Sequence, residues 1–155
     1  MPDTLILVRL LLISAVLLTS CGAPPPAPEP PHDVTTEAWY GQAVEQLLSD
    51  TRAAEGFFKG GKPDDAAALI EKGEPLASKL LAVPRPTLAA TEAASDLDDL
   101  YGRMLLSNRH FEWASMFFQK NVARWKYWKP PTEETARRLN QAEAEIAECN
   151  RLMTR

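Results

Sequence analysis

Thr87-Leu-Ala-Ala-Thr-Glu-Ala-Ala-Ser-Asp-Leu-Asp-Asp-Leu-Tyr-Gly-Arg-Met-Leu-Leu-Ser-Asn108 carries the clearest period in the chain. Leu88, Thr91, Ala94, Leu97, Tyr101, Met104 and Leu105 return every three or four residues, the spacing of one helical face. A strand needs strict alternation, and no stretch of any length from Thr36 onward alternates. Thr87 suits the N-cap of this helix and Asn108 a left-handed stop behind it. Asp96, Asp98 and Asp99 interleave with Leu97, Leu100 and Tyr101, without the glycine turn or terminal Glu of a calcium loop. They read as a solvated acidic face.

The same spacing continues to both sides. Thr36, with Glu37 in the opening turn, predicts the cap of a first helix carrying Tyr40, Val44, Leu47, Thr51, Ala54 and Phe58 to a stop at Gly60-Gly61. Pro63 opens a second helix, with Asp64 and Asp65 beside its positive end and Ala66, Leu69, Ile70, Gly73, Ala77, Leu80 and Leu81 as its stripe. Pro75 predicts a kink or split near Gly73. Pro84-Arg85-Pro86 ends that element. A fourth helix is predicted from about His110 to Trp128, closed by Pro130-Pro131. Thr132 then caps a fifth, whose stripe is Ala136, Leu139, Ala142, Ile146, Cys149 and Met153. Glu133–Arg137 and Glu134–Arg138 stand four apart in the favourable order. The fold class is all-α over residues 36–155, as antiparallel hairpins in an array or as a five-helix bundle.

Tyr101-Gly102-x-x-Leu105 followed by Ala114-x-x-x-Phe118 resembles the core of a tetratricopeptide repeat. A fainter copy runs through Ala54, Phe57, Ala66 and Ile70, with the same step of twelve residues between its small positions. The resemblance implies paired helices that approach at small residues and fill the groove with large ones.

Residues 111–129 hold three of the four tryptophans, Trp113, Trp125 and Trp128, with Phe111, Phe117, Phe118 and Tyr127. Residues 103–129 carry six basic groups against Glu112 alone, while residues 32–100 carry six basic and thirteen acidic groups. On a helical wheel Phe111, Ala114, Phe118, Val122 and Trp125 form one face, and Trp113, Phe117, Arg124 and Trp128 an adjacent one. Such a wide aromatic arc serves either a helix buried on both sides or a surface for a partner. Tryptophan and arginine are enriched at binding hot spots, so Trp113, Phe117, Arg124, Trp128 and Lys129 are the candidate partner-binding residues.

Ahead of the helices, Leu5 to Leu18 form an apolar run broken only by Arg9 and Ser14. At 1.5 Å per residue it is too short to cross a bilayer core of about 30 Å, but it suits the apolar region of an export signal. Leu18-Thr19-Ser20-Cys21 follows at once and resembles the lipobox of bacterial lipoproteins. The resemblance implies a signal peptide over 1–20, removed by cleavage before Cys21, with diacylglycerol on the Cys21 thiol and an acylated new amine. In proteobacterial members Asp after the cysteine retains the protein at the inner membrane, so Gly22 implies the outer membrane. Residues 24–31, Pro-Pro-Pro-Ala-Pro-Glu-Pro-Pro, cannot form helix or sheet. The 21–35 segment therefore reads as a lipidated cysteine and an extended spacer, its proline run about 25 Å long.

The whole chain has 155 residues and a net charge of −4, enough for one domain and wrong in sign for a general nucleic-acid binder. Two cysteines and two histidines leave little for a metal cage, and neither a Ser-His-Asp order nor an HExxH run is present. His110 reads as a residue opening a helix, and Cys149 as a buried free thiol. The expectation is a membrane-anchored periplasmic lipoprotein without enzymatic activity, cofactor, metal or nucleic acid. Its head is expected to bind another envelope protein; the alternative is a binding protein for envelope glycan or another small ligand through the Trp/Arg surface.

Overall fold

A computed structural model describes residues 32–155. The export segment, Cys21 and the proline run fall outside the described residues. A 3-10 turn, Val34–Thr36, precedes five α-helices: α1 (Ala38–Lys59), α2 (Pro63–Leu81), α3 (Leu88–Ser107), α4 (Phe111–Lys126) and α5 (Glu133–Met153). No strand occurs among the described residues. Successive helices fold back on one another, α1 on α2, α3 on α4 and α4 on α5, and α3 packs against both α1 and α2.

Local chemistry sets the helix ends. The side chain of Asp33, not Thr36, caps the opening turn by accepting from the Thr35 amide at 3.0 Å. Thr36 instead donates its hydroxyl to the Asp33 carbonyl at 2.8 Å, and Glu37 takes the N-cap of α1 without a side-chain cap bond. That first turn and α1 are two elements, because Asp33 offers the earlier cap. α1 stops in a Schellman motif: Lys62 N–H donates to Phe57 O at 2.9 Å and Gly61 N–H to Phe58 O at 3.1 Å. α3 ends the same way, with His110 N–H on Leu105 O at 2.9 Å and Arg109 N–H on Leu106 O at 3.1 Å. The left-handed residue there is Arg109 (φ 65°), one position beyond Asn108 (φ −88°). Thr87 caps α3 as its position predicts, and Thr132 and Thr135 cap α5 reciprocally at 3.1 and 2.8 Å.

Pro75 does not split α2, which is continuous from Pro63 to Leu81. Its ring lies on the exposed side, while Gly73 and Ala77 on the other side press the helix into the core. A Cβ on Gly73 would stand 3.2 Å from methyls of both Leu47 and Leu97, so three helices meet there through a hydrogen.

The helix buried on most sides is α3, whose covered residues include Ala90, Ala93, Ala94, Leu97, Leu100 and Met104. Its small residues explain this: neighbours approach from three directions only where side chains are short. With α1 and α2 it forms the main core around Tyr40, Leu47, Ile70 and Leu80. Tyr40 is buried, donates its hydroxyl to Leu80 O and accepts from Thr87 N–H, both at 3.2 Å, binding the start of α1 to the α2–α3 corner. A second cluster joins Ala114 and Phe118 of α4 to Cys149 and Ile146 of α5 beneath Leu105 and Leu106. Gly102 sits under Phe118, where an added Cβ would fall 2.6 Å from the ring.

Asp96, Asp98 and Asp99 are half-buried rather than a solvated face. Asp98 holds Arg124 of α4 at 2.9 Å, and Asp96 holds Arg138 of α5 at 2.6 Å. Asp99 holds Arg103 at 2.8 Å and accepts from Gln141 of α5 at 3.2 Å. Ser95 completes the seam by accepting from the Trp125 indole at 2.9 Å and, through its carbonyl, from Asn121 at 3.1 Å. On α5 the buried line is Thr135, Ala142 and Cys149. Ala136, expected within it, is exposed because the stripe turns inward one position earlier, and Met153 because it is the last residue of the helix and borders an open cleft. Arg137 and Arg138 share Glu134 as partner, so the predicted Glu133–Arg137 pair is replaced by Glu134–Arg137 at 2.7 Å.

Candidate interaction surface

α4 owes its two-sidedness to its sequence. Ala114, Ser115, Phe118, Asn121 and Trp125 face α3 and α5 and are buried. The opposite side carries Trp113, Met116, Lys120, Ala123 and, one residue past the helix end, Tyr127, all exposed. Trp113 is 59%, Met116 52% and Tyr127 74% exposed, among the few large apolar side chains that the fold leaves in solvent. Their spacing of three, four, three and four residues makes them one outward stripe.

The five residues singled out from the sequence divide across this geometry. Trp113 and Lys129 are exposed. Phe117 is half-buried, edge-on to Tyr101 at 4.6 Å, with the Lys120 ammonium 4.1 Å from its ring centre. Arg124 turns inward: its side chain and that of Asp98 are each only 14% exposed, and it also donates to Asn121. Trp128 lies beyond the end of α4, half-buried and edge-on to Trp125 at 6.3 Å. Met116 and Tyr127 belong to the open stripe although the expected face ran through 113, 117, 124 and 128. The signal for them was the wheel position opposite Ala114, Phe118 and Trp125.

Near its start, α4 borders a cleft of about 470 Å³ between the α3–α4 turn and the last turn of α5. Trp113, Phe111, Leu152 and Met153 supply its apolar walls, and Arg109, His110 and Glu112 its polar ones. A groove of about 320 Å³ separates α1 from α3, with Arg52, Glu55, Asp99 and Arg103 along it. Glu55 and Arg103 pair there at 3.3 Å. The Lys59 ammonium at 3.2 Å, followed by Arg103, holds the Glu55 carboxyl below its usual range.

Glu145 is the unusual ionisable group. Burial, then the neighbouring Asp99 carboxylate, pushes its pKa up to about 7. Its Oε1 shares the Gln141 amide with Asp99, and its Oε2 is buried without a hydrogen-bond partner. Burial, then Glu145, raises the Cys149 thiol as well, which favours its neutral form. Among the described residues, no group of three or more His, Cys, Asp or Glu side chains is placed to hold a metal ion. Among them, too, no helix is long and apolar enough to cross a membrane. No known protein family, curated protein or solved structure matches the chain.

Proposed function

We propose that the chain is a lipoprotein of the bacterial envelope, anchored through Cys21 at the outer membrane and facing the periplasm. Its helical head is a non-enzymatic protein-interaction or assembly module. The anchor rests on Leu18-Thr19-Ser20-Cys21 and the proline spacer behind it. One acyl chain holds a protein only marginally at about 0.8 kcal/mol per buried methylene, so a multiply acylated Cys21 gives the durable form. The tetratricopeptide-like packing rests on Gly102 beneath Phe118.

The observation that carries the interaction role is the outward stripe of α4. An isolated exposed apolar side chain needs no explanation, whereas an ordered row of Trp113, Met116 and Tyr127 on a helix otherwise well packed is a docking surface. Labelled palmitate should enter the wild-type chain in cells and fail to enter Cys21→Ser. Crosslinking in native envelopes should give partners that Trp113→Ala/Tyr127→Ser loses. Label-free wild type would remove the anchor, and identical crosslinks would remove the surface.

The cleft beside Trp113 favours glycan as the second reading, because an open indole flanked by Arg109, His110 and Glu112 matches a sugar ring and its hydroxyls. Envelope glycan fragments should then perturb the fluorescence of wild type and leave Trp113→Phe unchanged.

A further inference from the structure

The outward stripe of α4 covers fourteen residue steps from Trp113 to Tyr127, about 21 Å at 1.5 Å per residue. It is bulky, and the bases around it are free: Arg109, Lys126 and Lys129 make no ion pair among the described residues, against one acid, Glu112. A face that fits it must be equally long, acidic and without large side chains.

The outward face of α2 has those properties. Asp64, Ala67, Ala68, Glu71, Pro75 and Ser78 lie along it, all exposed, and span the same fourteen residue steps. Asp64, Glu71 and the adjacent Glu74 have no ion-pair partner among the described residues. The two lysines of α2 point toward α1, Lys72 to Asp50 at 3.1 Å and Lys79 over the Trp39 ring at 4.2 Å. The carboxylates are therefore left facing solvent, and alanine and proline between them offer a smooth bed for an indole, a thioether and a phenol. Within one chain the two faces cannot meet, because both look outward from the α3 core.

We propose that the occupant of the α4 face is a second copy of this chain, which presents α2. The interface joins unlike surfaces, basic and aromatic on one copy, acidic and small on the other. A single helix-on-helix contact buries less than the roughly 1,600 Å² of a standard interface, so association is weak and salt-sensitive. This deepens the reading of α4 as a docking surface and is independent of the lipid anchor.

Two differently tagged full-length versions, co-produced in cells, test it. A benzophenone amino acid replacing Met116 should yield, on illumination, a product of twice the chain mass that carries both tags and is crosslinked within residues 63–81. Lys126→Glu/Lys129→Glu should reduce its yield at least fivefold, and so should Glu71→Lys/Glu74→Lys. All four changes together should restore it. Circular dichroism melts of these surface variants verify that each is folded. Absence of any product carrying both tags, a product mapped outside α2, or one unaffected by either charge swap would overturn self-association. Capture of a different protein by the same probe would do so while leaving α4 as an interaction surface. Absence of palmitate on Cys21 would not alter any of these outcomes.

Discussion

Gly102 and Arg109 show opposite uses of a backbone position on the same helix. At Gly102 a methyl would collide with the Phe118 ring at 2.6 Å, and that ring is fully buried. Gly102→Ala should cost about 1–3 kcal/mol, read as a fall in thermal midpoint, despite alanine's better helix propensity. Arg109 occupies the left-handed position that Gly61 fills after α1. Side chains pay roughly 1–2 kcal/mol for that conformation, so Arg109→Gly should raise stability by about 1 kcal/mol in denaturant titration. Arg124 belongs with the structural residues. Its replacement by alanine leaves Asp98 in a covered seam with only Lys120 at 3.5 Å, and should cost about 2–3 kcal/mol. The loss would appear in stability, not in partner recognition.

At the level of single helices, α5 is the most pH-sensitive. The charged and polar groups facing Glu145 are Asp99 and Arg103 from α3 and Gln141 from α5. Folding raises its pKa from an ordinary 4.5 to about 7, so the folded chain keeps a proton that the unfolded chain releases between those values. That contribution is complete below pH 4.5 and is lost as pH climbs through 7. Because Glu145 is only half-buried, the loss is about 1 kcal/mol. Glu134 acts oppositely: Arg137 and then Arg138 hold it at about 2, so its support is present above pH 4.5 and fades in acid. Thermal melts should therefore show higher stability at pH 5 than at pH 8, and Glu145→Gln should flatten the difference.

Helix number, type and most boundaries were legible because they follow from period and from Gly, Pro and Thr at element ends. The seam was not. Asp96, Asp98 and Asp99 look solvated in sequence, since a carboxylate beside leucine does not reveal whether an arginine 26 or 42 residues away returns to it. Pro75 misled for a related reason: tertiary packing at Gly73 and Ala77 offsets one missing backbone bond. On α4 the aromatic wealth was visible, but separating Phe117 and Arg124 from Met116 and Tyr127 required knowing which arc its two neighbours occupy.

At the scale of the molecule, the main core joins α1–α3 and the second joins α4 and α5 beneath the end of α3, with the Asp–Arg seam between. Removing the exposed aromatics should leave this untouched: Trp113→Ala/Tyr127→Ser should change the melting midpoint by less than about 0.5 kcal/mol equivalent. The Tyr40 hydroxyl, in the first turn of α1, lies between Leu80 O and Thr87 N–H. Under the proposed Cys21 anchor, a pull from ahead of His32 would reach the helices there and be shared with α2 and α3 rather than unpeeling α1 turn by turn, which would make this bond pair a mechanical clamp.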